Sequence, residues 1–167
     1  AKAQFLFPKG FNLTMSVQKV KPEDDVIMMY DVGTYWQGEK WHIECEYLRK
    51  YYENDAFNSV TALNTFINYD IPLKTKFFKK ISPLARYDYM TDQSDGMKYM
   101  DKVANKAGKL IVNDYKRQRV TGGVTLSLST PFVADIRINY EKYFYGHAAI
   151  IQQSEKDKIV FELMTRF

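Results

Sequence analysis

The residues with chemical potential in this 167-residue chain are charged side chains spaced by two. Arg86, Arg119, Arg137, Lys158 and Arg166 occupy its later part, with Arg117 beside Arg119 and Glu162 near the end; Glu44, Glu46 and Lys50 lie earlier. Such spacing suits a wall that gathers and orients polar solutes, because a line of cationic groups concentrates anions and facing carboxylates turn a dipolar solute crosswise. It does not suit bond-making. The sequence has no phosphate-cradling glycine loop, no nucleophile elbow and no His-rich or carboxylate metal motif. His42 and His147 are too few for a metal cluster, and Cys45 falls between Ile43 and Tyr47, where an inert buried thiol is expected. The expectation is a protein that is not an enzyme and takes no metal or cofactor.

The elements that carry these residues read with period two, not 3.6. Ala134, Ile136, Ile138 and Tyr140 alternate with Asp135, Arg137, Asn139 and Glu141. Ile159, Phe161, Leu163, Thr165 and Phe167 oppose Lys158, Val160, Glu162, Met164 and Arg166. The pattern repeats backwards through Val120–Leu128, Ile81–Tyr89, Leu63–Ile71, Trp41–Leu48, Val26–Trp36 and Phe11–Gln18, which predicts eight strands over residues 11 to 167. Short links at Pro8–Gly10, Gln37–Lys40, Lys74–Lys80 and Ser129–Pro131 alternate with longer ones. Segments 91–115 and 144–156 are expected to be long loops on one side of the sheet, with a short helix around Met100–Ala107 compatible with its spacing.

Composition sets outer bounds. At 46% apolar, 26% charged and only one cysteine, the chain is globular in type and cannot build a disulfide framework. Its 24 basic against 20 acidic residues, net +4, make too mild an excess to argue for a nucleic-acid partner. No apolar run reaches the roughly 18 residues of a membrane helix, but a membrane strand needs only about 10 and shows lipid to every second one. The 16% aromatic content matters here. On the apolar register Phe11, Trp36, Trp41, Tyr69, Phe132 and Phe167 fall near the short-turn end, while Tyr30, Tyr47, Tyr87, Tyr89 and Tyr140 fall toward the long-loop end. Two belts of amphipathic rings around an aliphatic band are what a bilayer selects. The expected fold is therefore all-β: an antiparallel up-and-down transmembrane β-barrel, with the charged register facing its interior because an arginine at the bilayer midplane costs about 2–4 kcal/mol. A soluble β-sandwich or lipocalin-like binding protein accounts for the alternation equally well, though not for the sorted rings.

The stretch Ile159, Phe161, Leu163 to the final Phe167 resembles the terminal strand by which bacterial outer-membrane barrels are recognised for insertion, and implies the barrel-assembly machinery as a partner. The stretches Ser82–Tyr89, Arg119–Val124 and Ile136–Glu141 resemble the C-terminal part of the phosphate-selective porin O and P family of Bacteroides-like bacteria, over about Trp41 to Phe167. That resemblance implies a sixteen-stranded, water-filled, homotrimeric porin of the bacterial outer membrane, of which this chain would be the last half, passing small hydrophilic and anionic, phosphate-like solutes. Residues Ala1–Phe7 then read as the stub of a further strand. The alternatives are a complete eight-stranded barrel with a plugged polar core, serving as an anchor or adhesion module, and, more remotely, a membrane enzyme acting on lipids.

Overall fold

Alternating side chains with β-branched and aromatic residues on one register fold here into a meander of strands. The computed structural model describes residues 1–21, 26–53, 58–92, 116–129, 133–146, 151 and 153–166. Its strands are β1 (Lys2–Phe7), β2 (Phe11–Val20), β3 (Ile27–Gln37), β4 (Trp41–Tyr52), β5 (Val60–Tyr69), β6 (Ile71–Pro72), β7 (Phe78–Met90), β8 (Arg117–Leu128), β9 (Val133–Tyr145) and β10 (Lys158–Arg166). Nine of them form one antiparallel sheet in the order β1-β2-β3-β4-β5-β7-β8-β9-β10, each beside its neighbour in sequence, and β6 adds a short second rung to β7. The eight expected strands are all present. Among the described residues no ladder joins β1 to β10, so the sheet is open at both edges.

Two boundaries differ from the sequence reading, while the N-terminal stub is present as the short strand β1. It pairs with β2 along its whole length, from Lys2 opposite Ser16 to Phe7 opposite Phe11, because the Pro8–Gly10 turn reverses the chain tightly. Lys9 takes φ 64° and Gly10 φ 77° there. A Cβ on Gly10 would lie 2.2 Å from the Gln37 carbonyl oxygen, so that position requires glycine. The strand expected to run to Ile71 breaks at Asp70, whose carboxylate turns to accept hydrogen bonds from Ser82 Oγ and Lys80 Nζ. The loop expected from Phe144 begins later, since β9 continues to Tyr145 and Gly146 N–H still bonds the Lys116 carbonyl. The helical spacing at Met100–Ala107, the ring of Phe132 and the terminal Phe167 lie outside the described residues.

Burial inverts the usual expectation for a sheet. The buried residues include Ser82, Thr121, Thr125 and Ser127, all small and polar, whereas Phe5, Met15, Trp41, Tyr47, Val120, Tyr140, Phe161 and Leu163 are exposed, Phe161 at 72%. Long polar side chains therefore crowd over small residues on one face, and the large apolar side chains stand free on the other.

Candidate functional site

The register assigns every strand residue to a face. Phe7, Phe11, Trp36, Ile43, Ile67, Ala85, Gly122, Tyr140 and Ile159 are successive cross-strand partners and form one row through all nine strands. Alternation then puts Arg86, Arg119, Arg137, Arg117, Lys158, Glu44, Glu46, Lys50 and Glu162 together on the opposite face. Tyr87, Leu126 and Ile136 lie on the apolar one. Arg166 pairs with Val133 by its backbone, and its side chain is outside the described residues.

On the charged face the basic residues are tied into a ladder across four strands. Arg86 Nε and Nη2 each lie 2.9 Å from Asp88 Oδ1, and Arg119 Nη2 lies 2.8 Å from the other oxygen of the same carboxylate. Arg119 Nη1 continues to Glu141 Oε2 at 3.7 Å, which Lys158 Nζ approaches at 3.5 Å. Arg137 donates to Thr125 Oγ1 at 3.2 Å and to Glu162 Oε2 at 3.1 Å, and Arg117 reaches Glu155 at 2.9 Å toward the long-loop end. These half-exposed pairs add little stability, up to about 1 kcal/mol apiece. Their effect is directional: they tie guanidinium groups to the neighbouring strands, Arg119 to β7 and β9 and Arg137 to β8 and β10.

The β2–β4 part of the face is different in character. Glu44 accepts from His42 at 2.7 Å and Asp31 from Ser16 at 3.4 Å, while Glu46 has no partner among the described residues. Lys50 Nζ lies 5.1 Å from the centre of the Tyr52 ring. Glu46 and Asn64 line two adjoining hollows. One, of about 400 Å³, continues to Asp88, Arg117, Arg119 and Glu155; the other, of about 330 Å³, to Asp31 and Glu44. The face thus runs from a group of carboxylates with no arginine partner among the described residues to a self-neutralised basic ladder, an arrangement that can hold and turn a polar solute. Among the described residues no group of three His, Cys, Asp or Glu side chains is placed to hold a metal.

The apolar face carries the rings in two groups. Phe7 and Phe11 lie 5.5 Å apart and Trp41 and Tyr69 4.5 Å apart near the short turns, with Trp36 Nε1 donating to the Lys9 carbonyl. Tyr30 and Tyr51 stack at 5.8 Å near the other end. Between the groups the face bears no charge among the described residues. The height of the charge-free window varies from strand to strand. Its first charged residue at the long-loop side is Lys19 on β2, eight residues above Phe11; on β4 it is Arg49, six above Ile43; just before β8 it is Lys116, six above Gly122; on β9 it is Lys142, two above Tyr140. Tyr30 stands six residues above Trp36 on β3, while Tyr140 on β9 lies in the Trp36 row itself.

No family model, curated protein or solved structure matches this chain. What can be said of the site therefore comes from its own geometry. The girdle residues Trp36, Trp41, Tyr69, Tyr87, Tyr89 and Tyr140 all lie on the apolar face, as do Ile159, Phe161 and Leu163 of the last strand. Sequence reasoning passed over the carboxylates that organise the arginines, Asp88, Glu141 and Glu155. A signal for Asp88 exists, since it lies two residues from Arg86 and so on the same face. Glu141 and Glu155 become partners only through the cross-strand register and the turn before β10.

Proposed function

We propose that this sheet is wall of a transmembrane β-barrel in a bacterial outer membrane. Its apolar face lies in lipid, and its charged face lines an aqueous passage for the diffusion of small hydrophilic solutes, anions among them, with no bond made or broken. The observation that carries this reading is the separation of the faces: the ring groups and the charge-free span between them share one face, and the arginines, lysines and carboxylates of those spans share the other. Strands of membrane barrels tilt by about 35–45°. At about 35°, spans such as Phe11–Val17 and Ile81–Tyr89, seven and nine residues long, stand about 19–24 Å tall, close to the ~25 Å apolar band of such proteins. A face packed against protein has no reason to carry its rings in two groups at opposite ends of an aliphatic span.

An open sheet edge in hydrocarbon leaves backbone groups unpaired at several kcal/mol each, so the reading requires β1 and β10 to find strand partners. The resemblance to phosphate-selective porins supplies one form of the completed wall, a sixteen-stranded trimeric pore inserted by the barrel-assembly machinery through its last strand. Because each guanidinium of the ladder shares a carboxylate, the preference for anions is a weak one.

Planar-bilayer recordings on the full chain test this. Ohmic, salt-dependent conductance is expected, and Arg86→Gln/Arg119→Gln/Arg137→Gln should move the reversal potential toward cations. The shift should be larger in low salt, where the Debye length exceeds the roughly 10 Å of 0.1 M solution. The closed ladder Arg86-Asp88-Arg119-Glu141-Lys158 also fits a packed ionic core in a narrow anchor barrel. Absence of any current from inserted protein would decide for that second reading.

A further inference from the structure

The short-turn end of the sheet is rich in lysine. Its described turns carry Lys9, Lys40, Lys74, Lys76, Lys79 and Lys80 against Glu39 and Asp70. That surplus of four equals the formal net charge of the whole chain, +4. Asp70 is taken by Lys80 and Ser82, and the next carboxylate upward, Asp135, faces the polar side opposite Ser127. Lys74, Lys76 and Lys79 are exposed and have no partner among the described residues.

The turn that bears them is built, not loose. Leu73 N–H bonds the Lys79 carbonyl at 2.8 Å, Phe78 N–H bonds Thr75 Oγ1 at 3.0 Å, and Ser129 N–H bonds the Phe77 carbonyl at 2.8 Å. Asp70 N–H bonds the Lys40 carbonyl at 2.7 Å, which links this turn to its neighbour. At its tip Phe77 is 68% exposed, and Ile71, two residues after the Tyr69 that packs on Trp41, is exposed at its start. An apolar ring flanked by free ammonium groups at the foot of an apolar face is the chemistry that meets phosphodiester headgroups, with the lysine stems along the acyl boundary and their charges at the phosphates.

We infer that the rim formed by the Lys74–Lys79 turn, Lys9 and Lys40 docks on anionic phospholipid headgroups of the leaflet at the short-turn side. This rests on the reading of the apolar face as bilayer-embedded; the lipid preference is what is added. A lysine near an anionic surface contributes about fivefold in partitioning.

The test partitions the refolded full chain between buffer and vesicles of phosphatidylcholine, alone or with one third phosphatidylglycerol, in low salt. The parent is expected to prefer the anionic vesicles. Lys74→Gln/Lys76→Gln should cut that preference by about 25-fold. Lys21→Gln/Lys156→Gln removes the same charge at the long-loop end and should leave it nearly unchanged. Phe77→Ser should weaken binding to both vesicles alike. Equal losses from the two double variants would reduce the effect to net charge and overturn the inference, as would a parent indifferent to phosphatidylglycerol. Protease protection of the strands reads insertion separately: an inserted but indifferent parent overturns this inference alone, whereas a parent that binds neither vesicle overturns the bilayer reading too.

Discussion

An arginine moved along one pairing row measures the tilt of the apolar face. Trp36, Ile43, Ile67, Ala85, Gly122, Tyr140 and Ile159 are successive partners, so strands standing along the bilayer normal would hold all seven at one depth. With strands tilted by about 35°, each step of about 4.8 Å climbs about 2.8 Å, and the five steps from Trp36 to Tyr140 climb about 14 Å. With Phe11 at the foot of the band, Ile67 and Ala85 then lie near its middle, and Ile159, about 19 Å up, at its upper edge. Ile67→Arg and Ala85→Arg should each cost about 2–4 kcal/mol relative to alanine at the same site, and Ile159→Arg about 0–1 kcal/mol. Reversible urea unfolding from phosphatidylcholine vesicles, followed by tryptophan fluorescence, gives all three differences. Equal costs along the row would refute the tilt. A largest cost at Ile159 would mean that the face of the last strand packs against protein, and the bilayer reading would go with it.

Two further predictions concern local structure. A Cβ at Gly123 would lie 2.6 Å from the Ile138 carbonyl oxygen and 2.0 Å from Asn139 Oδ1, whereas one at Gly122 meets nothing within 4 Å; denaturant unfolding should show Gly123→Ala destabilised by about 1–3 kcal/mol and Gly122→Ala neutral or slightly stabilised. Asp157 accepts the Tyr143 N–H at 2.9 Å and lies 3.4 Å from Lys142 Nζ; these contacts outweigh desolvation and hold its carboxyl below the usual carboxylate range. A carboxyl held low in the folded state contributes above its unfolded pKa and loses that contribution only as pH falls through the lower folded value. Carboxyl NMR should therefore titrate Asp157 below an unfolded reference peptide, and Lys142→Gln should raise its midpoint; a midpoint at the reference value would refute the contact.

The strands were legible because alternation is written in the chain itself: Ile136, Ile138 and Tyr140 on one register and Arg137, Asn139 and Glu141 on the other need no partner to be read. Even the sorting of Trp36 and Trp41 from Tyr30 and Tyr140 needs only the turns. The ion pairs are another matter. That Arg119 meets Asp88 depends on the β7–β8 register, and the chain between Met90 and Arg117 has no tight turn from which to count it. That Arg117 meets Glu155 depends on the turn before β10, which has no periodicity at all. The Lys2–Phe7 strand, by contrast, was legible from its apolar end and the short turn after it, and the backbone reversal at Lys9 and Gly10 fixes its register on β2.

Every main ladder in this sheet joins strands adjacent in sequence, and that bears on how such a chain can change over generations. No strand is threaded between two that precede it, so cutting at a turn removes hairpins from one end without orphaning those that remain. Duplicating a pair of strands likewise inserts a unit whose outer flanks already match those of its neighbours. The number of strands, and with it the girth of whatever the sheet encloses, is then free to vary by whole hairpins while the residues along each retained strand keep their faces. Inheritance can act on diameter and on lining chemistry separately.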